Sequence, residues 1–203
     1  GIALERPNPS LIIFKHHMPK DEYITQDIHI PNHYLFLHHT AGDDNPYAII
    51  DDWARDSRGT VGTEFVIGGQ DFKTGTDKYD GEIVQSFPEG CQAFHLGPVK
   101  SQLMARHSVG IELCNFGYMT ADNRNYVNTV GHENQIITLD TPFRGYVKWH
   151  RYSDKQLYAL KLLILHIANR DNINLDKGLI SWIHKEGVDK AFGFRPEAQK
   201  GEI

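Results

Sequence analysis

Long hydrophobic runs are missing from this sequence, and so is any excess of positive charge. No apolar segment approaches the roughly 20 residues that a helix needs to cross a bilayer, so no membrane span is predicted. The formal net charge is −5 and the isoelectric point is near 6.2, with no basic tract. The composition therefore does not favour nucleic acid as a partner.

Cysteine is scarce as well. The chain has two cysteines, Cys91 and Cys114, and two do not build a disulfide framework. A single bridge is an open alternative, but free buried thiols are favoured. The redox state of the compartment in which the chain works therefore stays open.

The remaining composition is typical of a globular domain. The 203 residues are 40% hydrophobic and 23% charged, enough for one domain with a sizeable core. We expect an irregular N-terminal segment over residues 1–23, which contains three prolines, and a single domain over residues 24–203. Because the chain begins with glycine and shows no clear C-terminal stop, we interpret it as a piece of a longer protein, truncated at its C-terminus.

Hydrophobic spacing predicts strands and helices in irregular alternation. Tyr34–His38 and Val109–Leu113 are the clearest strands, and Tyr34–His38 lacks the alternation of a half-exposed strand, so both of its faces should be buried. Weaker strand signals cover residues 24–30, 65–67, 82–87, 92–97, 135–139 and 145–149. The result is a single α/β domain with a central mixed β-sheet flanked by α-helices.

Three helices are predicted. The first begins near Pro46 and continues through Trp53, and a short one covers residues 179–184. The longest begins at Ser153, with Gln156 three residues later completing a capping-box pattern. Its predicted buried stripe consists of Leu157, Leu160, Ile164 and Ile167.

The first candidate for chemistry is a histidine pair at a strand end. His38 and His39 close the apolar run from Tyr34 and precede a turn of small residues, Thr40–Gly42. A strand end holds a side chain rigidly, and imidazole is the commonest protein ligand for zinc. The alternative is a buried histidine that hydrogen-bonds to the backbone, which for a lone histidine is the commoner case.

The second candidate is Glu112. In the strand Ser108–Leu113, alternation should direct Val109, Ile111 and Leu113 into the core and Glu112 to the other face, between the small residues Gly110 and Cys114. Partial burial would raise its pKa and suit it to proton transfer. The alternative is a structural ion pair.

The two candidates support each other. His38 and Glu112 each lie on an otherwise apolar strand, which is a costly position for a polar group without a partner. A zinc ion bound by His38 and a water shared with Glu112 would supply those partners. The zinc would lower the pKa of the water towards about 7, and Glu112 would accept its proton.

Five segments of the chain, in this order, resemble a known family: Leu37–Gly42, Glu64–Gly69, Glu82–Gln85, Ala93–Gly97 and Ser108–Leu113. The set is similar to the type 2 N-acetylmuramoyl-L-alanine amidases, which are zinc-dependent and include phage endolysins, bacterial cell-wall recycling amidases and peptidoglycan recognition proteins. The resemblance runs from about Tyr34 to Arg170.

The resemblance implies roles for individual residues. His38 corresponds to a zinc ligand and His39 to a neighbour that does not bind the metal. Glu112 corresponds to the catalytic carboxylate of the bacterial members. His95 corresponds to a histidine that lines the substrate groove, although a surface histidine at a strand end remains an alternative. Thr40 and Glu64 are assigned with His95 to substrate binding.

The C-terminal part departs from the family pattern. The family completes its zinc site after the long helix, with a second histidine and then an aspartate or cysteine. Here His184 is followed by Asp189 and Lys190, without the proline-rich turn usual between the ligands. We interpret His184 as a helix-end residue and expect the missing ligands beyond Ile203; a metal-free relative is the alternative.

These observations predict a zinc-dependent amidase that cuts the bond between N-acetylmuramic acid and L-alanine in peptidoglycan. The cofactor would be Zn²⁺ and the partner peptidoglycan, with other phage-particle or cell-wall proteins as further partners. The chain would be phage-encoded and reach the cell wall, or belong to the bacterial envelope or be secreted. The alternatives are a non-catalytic peptidoglycan-binding module and a structural component of a phage virion with the same fold.

Overall fold

The structure is a computed structural model that describes residues 11–97 and 102–191. Its strands run over Ile13–Lys15 (β1), Tyr34–His39 (β2), Phe65–Ile67 (β3), Ile83–Gln85 (β4), Ser108–Leu113 (β5), Tyr118–Met119 (β6), Ile136–Phe143 (β7) and Tyr146–His150 (β8). Its α-helices run over Pro46–Trp53 (α1), Gln102–Arg106 (α2), Asp154–Asp171 (α3), Leu179–Glu186 (α4) and Val188–Ala191 (α5). Short 3-10 turns cover Lys20–Glu22 and Glu133–Gln135.

The main sheet has five strands in the order β1-β4-β3-β5-β2. Strands β3 and β4 pair antiparallel, and the other neighbours pair parallel. The expected mixed central sheet flanked by helices is thereby confirmed. Strand β2 lies at the edge, so its residues are only partly buried or exposed. The expectation that both of its faces are buried was wrong, because within residues 11–97 and 102–191 β2 pairs only with β5 and its side chains are less enclosed than those of the inner strands.

Each face of this sheet packs against a helix. Val109, Ile111 and Leu113 of β5 face α3, as the alternation predicted, and pack with Leu163 and Ile167 of that helix. The opposite face packs against α1 in a second cluster, which includes Ile50, Val66, Val84 and Cys114. The alternation of β5 therefore places Glu112 on the α1 side of the sheet.

Helix α1 begins as predicted. The side chain of Asn45 accepts hydrogen bonds from the backbone N–H groups of Tyr47 and Ala48, and Pro46 occupies the first turn, where its missing N–H costs nothing.

Helix α3 begins at the predicted cap, but Gln156 acts differently from the prediction. The Ser153 hydroxyl accepts from the Gln156 backbone N–H at 3.0 Å. The Gln156 side chain does not reach back to the cap; it donates to the carbonyl oxygens of Ile67 at 3.2 Å and Cys114 at 3.0 Å. It therefore joins α3 to the ends of β3 and β5.

The buried stripe of α3 also differs from the predicted one. Leu157 is 46% exposed, and Leu160 and Ile164 are only partly buried. The buried residues of the helix are Gln156, Ala159, Leu163 and Ile167. The stripe is rotated because the polar Gln156 takes an inward position that a hydrophobicity pattern assigns to an apolar residue.

Two predicted strands did not form, and two strands, β1 and β6, were not predicted. Residues 24–30 and 92–97 contribute only isolated bridges, Ile24 with Gln92 and Val61 with Phe94. The expected irregular segment 1–23 contains β1, which adds to the sheet edge by pairing with β4. Its residues 1–10 lie outside the described part of the chain. Short strands such as β1 depend on a neighbouring strand, which local patterns do not show.

A second sheet follows β5. Its three strands pair antiparallel in the order β6-β8-β7, so the predicted strands near residues 135–139 and 145–149 are confirmed, whereas β6 was not predicted. Cys91 and Cys114 are free thiols, as predicted; Cys114 is buried, whereas Cys91 is only partly buried. In the part of the chain that the structure describes, none of the helices combines the length and hydropathy needed to cross a membrane.

Candidate active site

His38 and Glu112 lie side by side on neighbouring strands. The parallel pairing of β2 with β5 sets His38 opposite Glu112, and the pairing of β3 with β5 sets Val66 opposite the same glutamate. Residues paired across adjacent strands direct their side chains to the same face. The structure therefore brings the two candidates together on the α1 face of the sheet, although 74 positions separate them in sequence.

Glu112 carries a partly buried carboxyl group, and among the described residues no hydrogen bond compensates for the hydration that one of its oxygens has lost. Within residues 11–97 and 102–191, its Oε2 atom has no hydrogen-bond partner. Burial raises the pKa of this carboxyl from its ordinary 4.5 to about 7. A group with a pKa near 7 exchanges protons readily at neutral pH, which suits a general acid or base.

His38 is held by a second histidine. Its Nε2 lies 3.0 Å from Nδ1 of His95, and Nε2 of His95 lies 2.9 Å from the hydroxyl of Ser108. Burial, with a smaller contribution from His39, lowers the pKa of His38. Burial, together with the neighbouring His38, lowers the pKa of His95 to about 3. Both imidazoles are therefore neutral at neutral pH, and the neutral form is the one that binds metals.

An open groove of about 260 Å³ lies beside these groups. It is lined by Trp53, Arg58, Val61, Gly62, Phe94, His95, Leu96, Gly97 and Glu112. The groove presents His95 and Glu112 to solvent together, so a ligand bound there would contact both.

Gly110 makes the position of His95 possible. It lies two residues before Glu112 in β5 and so faces the same side of the sheet. A Cβ atom at this position would lie 2.6 Å from Cγ2 of Thr63 and 3.0 Å from Nδ1 of His95. The absence of a side chain lets the His95 ring approach the strand and contact His38.

Replacing Gly110 by alanine is therefore expected to destabilise the fold by about 1–3 kcal/mol, as an overpacked core does. It should also displace His95 from His38. Denaturant unfolding measures the first effect, and nitrogen chemical shifts of the imidazoles measure the second. Gly97→Ala is the matched control, because a Cβ there meets nothing within 4 Å. Equal stabilities and unchanged histidine signals in Gly110→Ala would contradict this account.

Thr40 has a structural contact at the end of β2. Its hydroxyl accepts hydrogen bonds from the backbone N–H of Gly42 at 3.1 Å and of Asn115 at 3.2 Å. It thereby joins the turn after β2 to the segment after β5, next to the strand ends that carry His38 and Glu112. Its assignment to substrate binding stays a prediction.

Glu64 is engaged in a buried ion pair. Its oxygens accept from Arg170 at 2.7 and 2.9 Å and from Gln85 at 2.9 Å, and the side chains of Glu64 and Arg170 are 6% and 12% exposed. These contacts join the start of β3 to the end of α3. The assignment of Glu64 to substrate binding stays a prediction, and the structure does not place Glu64 among the residues that line the groove.

The other two histidines of interest point elsewhere. His39 alternates to the opposite side of β2 from His38, and its Nδ1 lies 3.2 Å from the carbonyl oxygen of Asn115. His184 lies in α4 and is exposed. Neither His39 nor His184 therefore adds another imidazole to the contact between the His38 and His95 side chains.

The described residues do not complete a zinc site at His38. Catalytic zinc normally has three protein ligands. In residues 11–97 and 102–191, the one group of three His, Cys, Asp or Glu side chains close enough to share an ion is Asp43, Asp44 and Asp71, which does not include His38. Neutral His38 can supply one zinc ligand, and the unpartnered carboxylate of Glu112 can supply a general base. Further zinc ligands would have to come from outside these residues.

Sequence reasoning missed Ser108 and most of the groove. Ser108 has the same strand parity as Gly110 and Glu112, so alternation alone could have placed it on the site face. Trp53 and Arg58 carry no such signal, because a helix end and a loop bring them to the groove only in the folded chain.

Comparison with known protein families identifies the family of the chain. The family described as N-acetylmuramoyl-L-alanine amidase matches residues 29–192. The chain belongs to this amidase family. The match spans both strands that carry His38 and Glu112, so the resemblance inferred from the sequence motifs is confirmed. Membership of the amidase family supports activity on the peptidoglycan amide.

The chain also matches solved structures of low sequence identity. The structure of PlyL is 14% identical, with 81% of this chain and 77% of that chain covered and a TM-score of 0.49. A mutant endolysin from Bacillus subtilis is 16% identical, with 95% and 99% covered and a TM-score of 0.49. The amidase AmiD from E. coli, in complex with its substrate, is 21% identical, with 74% and 48% covered and a TM-score of 0.44. No curated protein sequence matches the chain significantly.

Proposed function

We propose that this chain hydrolyses the amide between N-acetylmuramic acid and L-alanine in bacterial peptidoglycan, and that the reaction depends on zinc. The observation that carries the proposal is the buried, unpartnered carboxylate of Glu112 beside His38 in an open groove. Membership of the amidase family supports the bond type. The complex of AmiD with anhydro-N-acetylmuramic acid-L-Ala-D-gamma-Glu-L-Lys supports the substrate class by analogy.

In the proposed mechanism, Glu112 is the general base. Its ionised carboxylate accepts a proton from the attacking water as the water oxygen bonds to the lactyl carbonyl carbon. The same carboxyl then donates that proton to the L-alanine nitrogen as the C–N bond breaks, so the carboxylate is regenerated. The products are the lactyl carboxylate and a stem peptide with a free amino terminus.

His38 is the proposed zinc ligand within the described residues, and His95 positions its imidazole through the 3.0 Å contact. Bound zinc would polarise the carbonyl and lower the pKa of the attacking water. We propose that the further ligands lie outside residues 11–97 and 102–191, and that the chain acts at the bacterial cell wall as a phage-encoded or secreted protein.

The experiment is digestion of purified peptidoglycan with zinc present. We expect new amino-terminal L-alanine, detected by amine labelling and mass spectrometry, without new reducing sugar ends. Buffer alone and a zinc-free sample are the controls. Sedimentation of the protein with the polymer but no new amines would instead indicate a binding module, for which the incomplete ligand set at His38 is the supporting observation. Neither binding nor release would indicate a structural component.

A further inference from the structure

The substrate groove carries one basic side chain in addition to the catalytic acid. Of the lining residues that the structure describes, Glu112 is the acid and Arg58 is the permanent cation. An anionic ligand in this groove would therefore be attracted by Arg58.

Asp56 orients the Arg58 guanidinium. Nε of Arg58 lies 2.9 and 3.0 Å from the two Asp56 oxygens, and Nη2 lies 2.5 Å from Oδ2. In the described part of the chain, no hydrogen bond involves Nη1. The Asp56 side chain is 17% exposed and that of Arg58 is 75% exposed. One edge of the guanidinium is thus fixed, and the other edge is open to a second carboxylate, which suits bidentate recognition.

Apolar surface accompanies the two charged residues in the groove wall. A Cβ at Gly62 would lie 2.8 Å from Cε3 of Trp53, so the glycine lets the indole ring lie directly against the chain. Phe94 is 54% exposed in the same groove. The groove therefore combines an acid for the reaction, apolar rings and one cation.

We infer that Arg58 binds a free carboxylate of the stem peptide and makes the chain prefer a substrate whose second residue is acidic. The inference rests on the proposed function. In the substrate of AmiD, glutamate is joined through its γ-carboxyl group, which leaves its α-carboxylate free one residue beyond the alanine. Arg58 lines the same groove as Glu112 and is the permanent cation available there to such a carboxylate.

Two synthetic ligands that differ in one group test this inference: N-acetylmuramoyl-L-alanyl-D-isoglutamate, with a free carboxylate, and the isoglutamine form, with an amide there. Their dissociation constants are measured by calorimetry on the full chain carrying Glu112→Gln, which prevents turnover. We expect the acid form to bind about fivefold more tightly, as a solvent-exposed charged hydrogen bond allows. Adding Arg58→Ala should abolish the preference, and Arg58→Lys should retain part of it.

Two variants separate recognition from general charge effects. Arg55→Ala also removes an exposed arginine ion-paired to an aspartate three residues away, but Arg55 does not line the groove. It should keep the preference. Arg58 lowers the pKa of Asp56 from 3.8 to about 2, and Arg58→Ala removes this effect; an aspartate with an ordinary pKa is still ionised at neutral pH, so the variant leaves an unpaired negative charge. Asp56→Asn combined with Arg58→Ala removes that charge and should still show no preference.

Each outcome decides between the inference and the proposed function. Equal affinity for the two ligands, with hydrolysis of both by the native chain, overturns the role of Arg58 and leaves the amidase proposal in place. A preference that survives Arg58→Ala has the same consequence. If the native chain neither binds nor hydrolyses either ligand, both proposals are overturned.

Discussion

Substituting Glu112 by glutamine is expected to lower the rate of peptidoglycan hydrolysis by about 10²–10⁴-fold, the usual contribution of a general acid–base group. Glutamine keeps the size and polarity of the side chain but does not accept the water proton. The loss should therefore appear in kcat, with KM changed much less, because the groove is unaltered. Release of amino-terminal L-alanine from a soluble muropeptide measures both constants. Glu133→Gln, an exposed carboxylate outside the groove, is the control.

The pH dependence of Glu112 strengthens this test. A general base must be ionised, so kcat/KM should rise with pH through about 7, the raised pKa of this carboxyl. The same shift lowers stability. Between pH 4.5 and about 7 the folded state binds a proton that the unfolded state has released, so the free energy of unfolding falls as pH rises.

A shift of this size corresponds to about 3 kcal/mol at pH 8. In metal-free protein, Glu112→Gln should lack the fall and unfold at higher denaturant concentration than the parent at pH 8, with a smaller difference at pH 4. A variant that hydrolyses muropeptides at the parental rate would remove Glu112 from the mechanism. If the free energies of unfolding of the two proteins changed with pH in parallel, burial would not raise the pKa of the Glu112 carboxyl.

The second large effect is expected from His38→Ala. Loss of this imidazole should lower both zinc content and hydrolysis, the latter by more than about 100-fold, because residues that only support a metal ligand already contribute about 10–100-fold. In protein that carries the proposed further ligands, zinc per chain, measured by elemental analysis, should be close to one with His38 present and near zero in the variant. A chelator should reproduce the loss of activity in the parent, and added zinc should reverse it.

His184→Ala is the matched comparison for His38. His184 is exposed on α4, and we expect its removal to change neither zinc content nor rate. Zinc lost on His184→Ala but retained on His38→Ala would contradict the assignment of His38 as a ligand. Full activity of the parent in excess chelator would refute zinc dependence while leaving the role of Glu112 testable on its own.

Sequence patterns predicted the structure correctly where interactions between residues near one another in the chain determine it. The N-cap of Ser153 formed because a hydroxyl before a helical run satisfies a backbone N–H of the first turn. The alternation of β5 correctly separated the face of Ile111 from that of Glu112, because successive residues of a strand point to opposite sides. Leu157 and Gln156 were misjudged, because hydrophobicity does not show that an amide will find two carbonyl oxygens inside the protein.

The sequence alone therefore determined the family, the mixed sheet and the residue types for the chemistry, since ordered motifs and strand periodicity are readable along the chain. Only the tertiary structure decided which residues from distant segments are in contact. The pairing of His38 with Glu112, the close approach of His95 to Gly110 and the position of Arg58 in the groove all join distant segments. Such contacts depend on strand order and packing, and no local preference encodes either of them.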